Sequence, residues 1–488
     1  YKILAISMGL FILSMTLLTK IKQEFVPSQD QNLIILTAQS KVPGTALDET
    51  IKLAEPLQTM LNEIPEISGY MISIGPGQLF TPLTLVDQKK RKMNHTQIMN
   101  LLREKSKNIK GLRVSMRDIS ARNLTTGRLN PIAFNLRGTD LQVLNDKAQE
   151  MITKLEDQKL GVDVDTDYRI GQKELTLTPD RDTLIRRGVS ADAVSQVLQV
   201  SIAGLRAGQY MADGKKYDIR FKVKEEQLKN KEDVQKLFVR NNYGNMVSLA
   251  DLVVGENKQA LQSINRINRQ RSISVYGNLA PGQSQSVVLE KAKTIANETL
   301  PPGYSFNLEG AAAGFSSSFQ NLYLVLLIGI LVAYMILAVQ FNSFRDPISV
   351  LMALPFSATG AFLILWMTGS SLNLFSFIGL IVLMGIAKKN SIMLIEFTTQ
   401  VRHQEKLSYV EALLKACPVR LRPILMTSVA TVMAATPLVL GGGLGHETRQ
   451  PMGLVIIGGT IVSTAFTLFV VPLFYLALNE IRFKKSKA

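Results

Sequence analysis

Two clusters in this chain of 488 residues put polar chemistry where apolar side chains dominate. Lys388, Lys389 and Asn390 interrupt a run of Phe, Leu, Ile, Val and Met at positions 375–397. A cation at bilayer depth costs about 2.5–3.5 kcal/mol on insertion scales, so it persists only where it pairs with an anion, lines water or snorkels to the interface. Adjacent helical residues point about 100° apart, so the two lysines meet different surroundings. The second cluster is Arg420-Leu-Arg-Pro-Ile-Leu-Met-Thr427. On a helix its two ends share a face, roughly 10 Å apart along the axis. Pro423 is expected in the first turn, where the amides lack internal partners in any case. Arg420 and Arg422 read either as functional cations or as anchors at the membrane edge. Thr427 reads either as a polar partner or as a threonine bonded to its own backbone. A titrating partner is missing: proton-driven work needs a group that gains and loses a proton within the membrane, and no aspartate falls in the apolar segments. Asp346 reads as part of a turn and Glu396 as an interfacial residue, so the chain taken alone holds cations without their carboxylate.

The elements that must position these residues are six apolar segments, 3–19, 322–340, 348–367, 375–397, 421–440 and 454–478. Segments of this length span a bilayer, which excludes a purely soluble protein. The first is followed by Thr-Lys-Ile-Lys rather than a small-residue cleavage site, so it reads as a membrane helix whose beginning is cut off, not as a signal peptide. The chain is therefore expected to be a fragment or one half of something longer. Basic residues in the 402–422 loop and in the tail (Arg482, Lys484, Lys485, Lys487) put both in the cytoplasm. The insertion between the first two segments then lies outside it.

Net charge is +16, but much of the excess flanks apolar segments and no nucleic-acid-binding module accompanies it. Cys417 is the single cysteine, which excludes an internal disulfide framework. There is no phosphate loop, nucleophile elbow or metal motif, and His95, His403 and His446 lack ligand spacing. Met60, Met71, Met93, Met99 and Met116 read as core filler, or as soft metal ligands if they converge. The insertion reads as α+β. Strand 33–38, a helix from 47 and strand 67–74 make one β-α-β unit; 132–137, 141–155 and 162–167 make a second; 272–276, 284–299 and 304–308 make a third. Between the last two lies a segment with a strand at 175–180, a helix at 191–199 and a hairpin at 208–222 turning at Asp213-Gly214. That hairpin reads either as a partner contact or as an ordinary solvated ribbon.

The order and spacing of several strings resemble the resistance–nodulation–division family of inner-membrane efflux transporters. They are Phe25-Val-Pro-Ser-Gln-Asp-Gln31, Pro43-Gly-Thr-Ala-Leu-Asp-Glu49, Tyr334-Met-Ile-Leu-Ala-Val-Gln-Phe-Asn-Ser-Phe344, Leu354-Pro-Phe-Ser, the Lys389-Asn390 segment, Arg420–Thr427 and Phe469-Val-Val-Pro-Leu-Phe474. The resemblance implies a six-helix bundle with a large α+β periplasmic insertion, corresponding to the C-terminal half of a two-half transporter. It implies porter subdomains at 21–131 and at 132–175 with 261–310, a docking subdomain at 176–260, and five further membrane helices within 319–488. Lys389, Asn390, Arg420 and Thr427 match the proton relay, whose aspartates belong to the fourth helix of the other half. The implied function is proton-coupled export of amphipathic small molecules with no cofactor besides the proton. The implied partners are the N-terminal half, a homotrimer, a periplasmic adaptor, an outer-membrane channel and the lipid bilayer, with no nucleic acid. Gly75, Gly77, Gln78 and Phe80 stand near the family's substrate loop, in a shorter stretch than drug pumps carry. Heavy-metal export, or a membrane-anchored assembly or secretion factor without transport, are the alternatives.

Overall fold

A computed structural model describes residues 2–485 except 43, 118, 121–123, 229–230 and 262. Tyr1, Pro43 and Lys487 lie outside the described residues. The chain opens with α1 (Lys2–Leu17), apolar on all sides and 16 residues long. It then builds a sheet subdomain from β1 (Leu33–Ser40), α2 (Leu47–Asn62), β2 (Ile67–Tyr70), β3 (Ser73–Gly75), β4 (Gln78–Leu85), α3 (His95–Ser106) and β5 (Leu112–Arg117). The strands pair antiparallel in the order β2-β4-β1-β5, with β3 beside β4. The expected strand 67–74 is thus broken in two, and β4 stands between β2 and β1. Alternation along β1 turns Ile34, Leu36 and Ala38 inward, where they share a core with Leu57 and Leu61 of α2 and Ile98 and Leu102 of α3.

A reciprocal cap starts α3. The Gln97 N–H donates to Asn94 Oδ1 at 2.8 Å, and the Asn94 N–H donates to Gln97 Oε1 at 2.9 Å. Replacing Asn94 by alanine is expected to cost about 1 kcal/mol, read as a lower melting temperature of the purified protein.

Next come β6 (Ile132–Gly138), α4 (Leu141–Asp157) and β7 (Gly161–Thr166). A separate compact unit, Arg169–Ser263, follows. It contains β8 (Ile170–Pro179), α5 (Arg181–Arg187), α6 (Ala191–Leu198), β9 (Leu205–Ala212), β10 (Lys215–Phe221), α7 (Lys231–Gln235), β11 (Phe238–Arg240), β12 (Met246–Ser248) and β13 (Val253–Leu261). Leu184, Val194, Val239, Leu249 and Leu252 make its core. The expected hairpin is β9–β10, its two turn residues Asp213 and Gly214 at φ 50° and 74°. One face of this ribbon carries Tyr210 stacked on Tyr217, with Ile219 and Phe221 also exposed.

After β14 (Arg266–Ile267), the chain returns to the second sheet with β15 (Gln270–Leu279), α8 (Gln285–Thr299) and β16 (Ser305–Leu308). β15 pairs with both β7 and β6, and β6 with β16. Both subdomains therefore share one β-α-β-β-α-β topology with the same strand order. The unit Arg169–Ser263 is inserted at the central β-β connection of the second, so the two later β-α-β stretches are halves of one sheet.

Six helices close the chain: α9 (Gly310–Phe341), α10 (Asp346–Leu351), α11 (Ala353–Thr368), α12 (Leu374–Glu405), α13 (Tyr409–Leu440) and α14 (His446–Lys485). Among the described residues five helices are long and apolar enough to cross a membrane, α10 and α11 counting as one; α1 is shorter. Several boundaries differ from the hydropathy reading. α9 starts at Gly310 rather than 322, because Ala312, Phe315 and Phe319 pack with Phe25, Ala133, Tyr276 and Phe377 in one core. Asp346 is the first residue of α10 rather than part of a turn. The basic loop 402–422 is mostly helix, since α13 starts at Tyr409 behind a Ser408–Glu411 capping box. Pro418 and Pro423 lie inside α13, not in its first turn, and Arg420 and Arg422 are carried into the helix with them.

The junction between the second sheet and α9 is fixed by Arg128. Its guanidinium reaches Glu309 at 2.8 Å and Asp167 at 3.1 Å, and its carbonyl accepts the Ala311 N–H at 2.9 Å. Gly310 adopts φ +53°, and a Cβ there would stand 2.1 Å from that carbonyl oxygen, so only glycine fits.

Candidate functional site

Helix α12 has two distinct faces. Leu380, Leu383, Ala387, Asn390, Ser391 and Leu394 are buried. Ile378, Val382, Gly385, Lys389 and Glu396 form an exposed stripe at spacings of four, three, four and seven residues. Lys389 therefore stands on the outward face among apolar positions. Glu396 shares that face two turns away, roughly 10 Å along the axis and beyond ion-pair reach. Among the described residues no ion pair is made by Lys389. Lys388, one position back, is half-buried and points elsewhere.

Asn390 turns the other way, into the bundle, where it is 4% exposed. Its Nδ2 donates to Ser428 Oγ of α13 at 3.2 Å. Ser428 Oγ lies 2.8 Å from Thr464 Oγ1 of α14, which donates to the Thr460 carbonyl at 2.7 Å. Ser391 and Thr467 extend this hydroxyl seam, 3.5 Å apart. In a water-poor interior such polar groups hold helices together because their alternative is an unsatisfied group. Ser428, Thr464 and Thr467 do not stand out in the sequence as the charged residues do. The signal lay in their occurrence on helices otherwise rich in Val, Ile and Leu.

Arg420 and Thr427 sit on α13. The Arg420 guanidinium stacks over the Phe397 ring of α12, 4.3 Å from its centroid, and its Nε is buried without a hydrogen-bond partner. Thr427 donates to the Ile424 carbonyl at 3.0 Å, the backbone-bonded alternative. Among the described residues Lys389, Arg420 and Thr427 make no hydrogen bond or ion pair with one another. The site thus presents two cationic side chains on neighbouring helices, with the arginine held by an aromatic ring and the lysine open.

Two cavities among the described residues lie in the sheet subdomains. One, about 380 Å³, lies on the uncovered face of the first sheet and is lined by Thr37, Gln39, Gly75, Gln78, Phe80 and Arg117. Gly75 and Gln78 close the β3–β4 hairpin, and Phe80 is 46% exposed toward the opening. Gly77 is instead a turn residue at φ +68°, its N–H donating to Thr50 Oγ1 at 2.9 Å. A second cavity, about 230 Å³, is lined by Phe25, Val26, Met99, Arg103, Leu129 and Asn278. Arg103 there is held by Asp163 at 2.9 Å. Three of the five methionines singled out above, Met60, Met99 and Met116, are buried in the first sheet's core, which fits filling of irregular space. Met71 is exposed and Met93 packs at the core's margin.

The sequence profile of the AcrB/AcrD/AcrF family matches residues 1–479. Multidrug resistance protein MdtC of Escherichia coli O81 (strain ED1a) is 26% identical over 495 residues, which cover 99% of this chain and 48% of MdtC. MdtC of Escherichia coli (strain K12 / DH10B) is 26% identical over 492 residues, covering 98% and 47%. Among solved structures, a heavy metal efflux pump in one crystal form superposes with a TM-score of 0.88 at 22% identity, over 98% of this chain and 50% of that one. A second crystal form gives 0.87 at 23% identity, over 97% and 50%. The likeness to these structures is one of fold. The chain spans about half the length of the relatives it matches.

Proposed function

The chain belongs to the AcrB/AcrD/AcrF family of resistance–nodulation–division efflux transporters, and we propose that it forms half of a proton-driven inner-membrane pump for amphipathic small molecules. The observation that carries this reading is Lys389. Among the described residues it has no counter-ion, and it stands on an outward helix face among apolar positions. A cation so placed calls for a carboxylate from another set of helices: α9, α11 and residues 450–479 of α14 contain no charged side chain, and among the described residues Asp346, Glu396, Glu405 and Glu411 make no ion pair with it. With that carboxylate ionised, attraction holds the two helix sets together. With it protonated, Lys389 is released and the helices shift. Six crossings, with α1 as the first, return the tail to the cytoplasm and put both sheet subdomains in the periplasm.

In this reading the two sheet subdomains are porter elements and their cavities belong to the substrate path, with Phe80, Gln78 and Gly75 lining part of it. The unit Arg169–Ser263, with its exposed Tyr210–Tyr217 ribbon, meets the adaptor and the outer-membrane channel. The complete pump is a trimer of two-half subunits, a secondary transporter that uses protons and no cofactor. An amphipathic substrate is favoured over a metal ion by the relatives' name and by the methionines, of which Met60 and Met116 are spent on the core and only Met99 lines one of these cavities. The test is tolerance in a pump-deleted Gram-negative host carrying the complete transporter. Tolerance should rise toward cationic dyes and detergents and stay unchanged toward copper, silver and zinc salts. Protection against the metals alone would overturn the substrate class.

A further inference from the structure

The hydrogen-bond seam behind Asn390 takes one direction when each hydroxyl hydrogen is counted once and given to a carbonyl within reach. Thr464 has one hydroxyl hydrogen, and it is spent on the Thr460 carbonyl at 2.7 Å. Thr464 Oγ1 therefore acts as acceptor toward Ser428, 2.8 Å away, and Ser428 donates. Ser428 Oγ in turn accepts from Asn390 Nδ2 at 3.2 Å. The opposite amide orientation would set the Asn390 carbonyl against an oxygen whose hydrogen is already committed. The result is a one-way chain, Asn390 to Ser428 to Thr464 to the Thr460 carbonyl, that crosses α12, α13 and α14. Each link is buried, at 4%, 7%, 6% and 1% exposure. Each bond polarises the next, and breaking one leaves a buried polar group unpaired.

Asn390 directly follows Lys389, so the rotation of α12 that points one inward points the other about 100° away. We propose that Ser428 and Thr464 are positioning residues for proton coupling: their directed chain locks the rotation of α12 through Asn390 and keeps Lys389 on the outward face. This rests on the reading of Lys389 as the coupling cation. Neither hydroxyl touches a proton in transit. Their role is to make the lysine's orientation a property of the three-helix seam, which holds whether or not Lys389 has an anion opposite it.

The test is made in the complete transporter with Thr464→Val, which keeps the side-chain shape, and Thr464→Ser, which keeps the hydroxyl. Initial efflux rates are measured against substrate concentration, with melting temperature as the control on folding. Thr464→Val should lower the maximal rate about fivefold, the population shift that loss of one buried hydrogen bond produces, and leave the half-saturating concentration unchanged. Thr464→Ser should restore the parent rate. Ser428→Ala, which cuts the same chain from α13, should match Thr464→Val and serves in its place if that variant folds poorly. A parent maximal rate for Thr464→Val and Ser428→Ala, with Lys389→Ala inactive, overturns this proposal while sparing the role of Lys389. A Thr464→Ser variant as slow as Thr464→Val overturns it as well, because packing and not the hydroxyl would then set the rate. Parent transport by Lys389→Ala removes the underlying reading itself.

Discussion

Lys389→Ala should reduce efflux to the level of a strain without the pump, while membrane insertion and assembly stay at parent levels. Both halves of that expectation follow from where the lysine is. It is exposed and makes no ion pair among the described residues, so removing it deletes nothing that holds this chain's own fold together. An unpaired cation at bilayer depth opposes insertion by about 2.5–3.5 kcal/mol, so alanine eases that step. On the proposed function, what is lost is the attraction to a carboxylate that comes and goes with its proton, and with it the coupling of this helix face to that proton. Lys388→Ala should retain most of the transport, because that residue lies on a different face. Dye accumulation and crosslinked oligomer, measured on the same cells, separate the two effects. Equal loss of transport and assembly would make Lys389 a structural residue.

The second large effect is expected at the seam between α11 and α14, where Gly360→Val should sharply reduce the yield of folded protein. A Cβ at Gly360 would lie 2.4 Å from the Gly458 carbonyl oxygen and 2.7 Å from Val462 Cβ. The nearest atom is backbone, which cannot swing aside as a side-chain tip can. The reciprocal position is as tight: a Cβ at Gly458 would meet Ile364 at 2.5 Å. Small residues let membrane helices approach closely, and their replacement forces the backbones apart along the whole contact. Overpacking of this kind costs about 1–3 kcal/mol even before helix displacement. Gly385→Ala is the matched control, since a Cβ there meets nothing within 4 Å. Detergent-solubilised yield and melting temperature report both. A Gly360→Val protein as stable as the control would mean that α11 and α14 are not in close contact.

Much of this architecture is legible in the sequence, for identifiable reasons. Length and apolarity mark the membrane helices, and turn chemistry at Asp213-Gly214 marks the hairpin. A run of apolar and β-branched residues betrays β1. Helix boundaries were less legible. Hydropathy sees where a helix is greasy, not where its hydrogen bonds begin, so the amphipathic starts of α9 and α13 were missed. α3 and β5 are hard to see because their apolar residues are interleaved with charges such as Arg103, Lys105 and Arg113, and β4 because Pro82 interrupts its strand pattern. Sheet order was beyond a linear reading, since β4 enters between strands that precede it in the chain. At the site, Lys389 and Arg420 stood out because charge in a membrane segment is costly. Ser428 and Thr464 did not, because a hydroxyl in a helix can always bond its own backbone. Only their 2.8 Å approach across two helices reveals the seam.

On the proposed function, this chain carries the cation, and another set of helices the titrating acid, of one proton-coupled pump. Counting protons in proteoliposomes tests it most directly. An imposed pH gradient is applied to vesicles holding either this chain alone or the complete two-half transporter, and dye export and proton flux are recorded together. The complete transporter should export dye with matched proton flux, lose both in Lys389→Ala, and this chain alone should show neither. Proton-coupled export by this chain alone, or by the complete transporter with Lys389→Ala, would contradict the account.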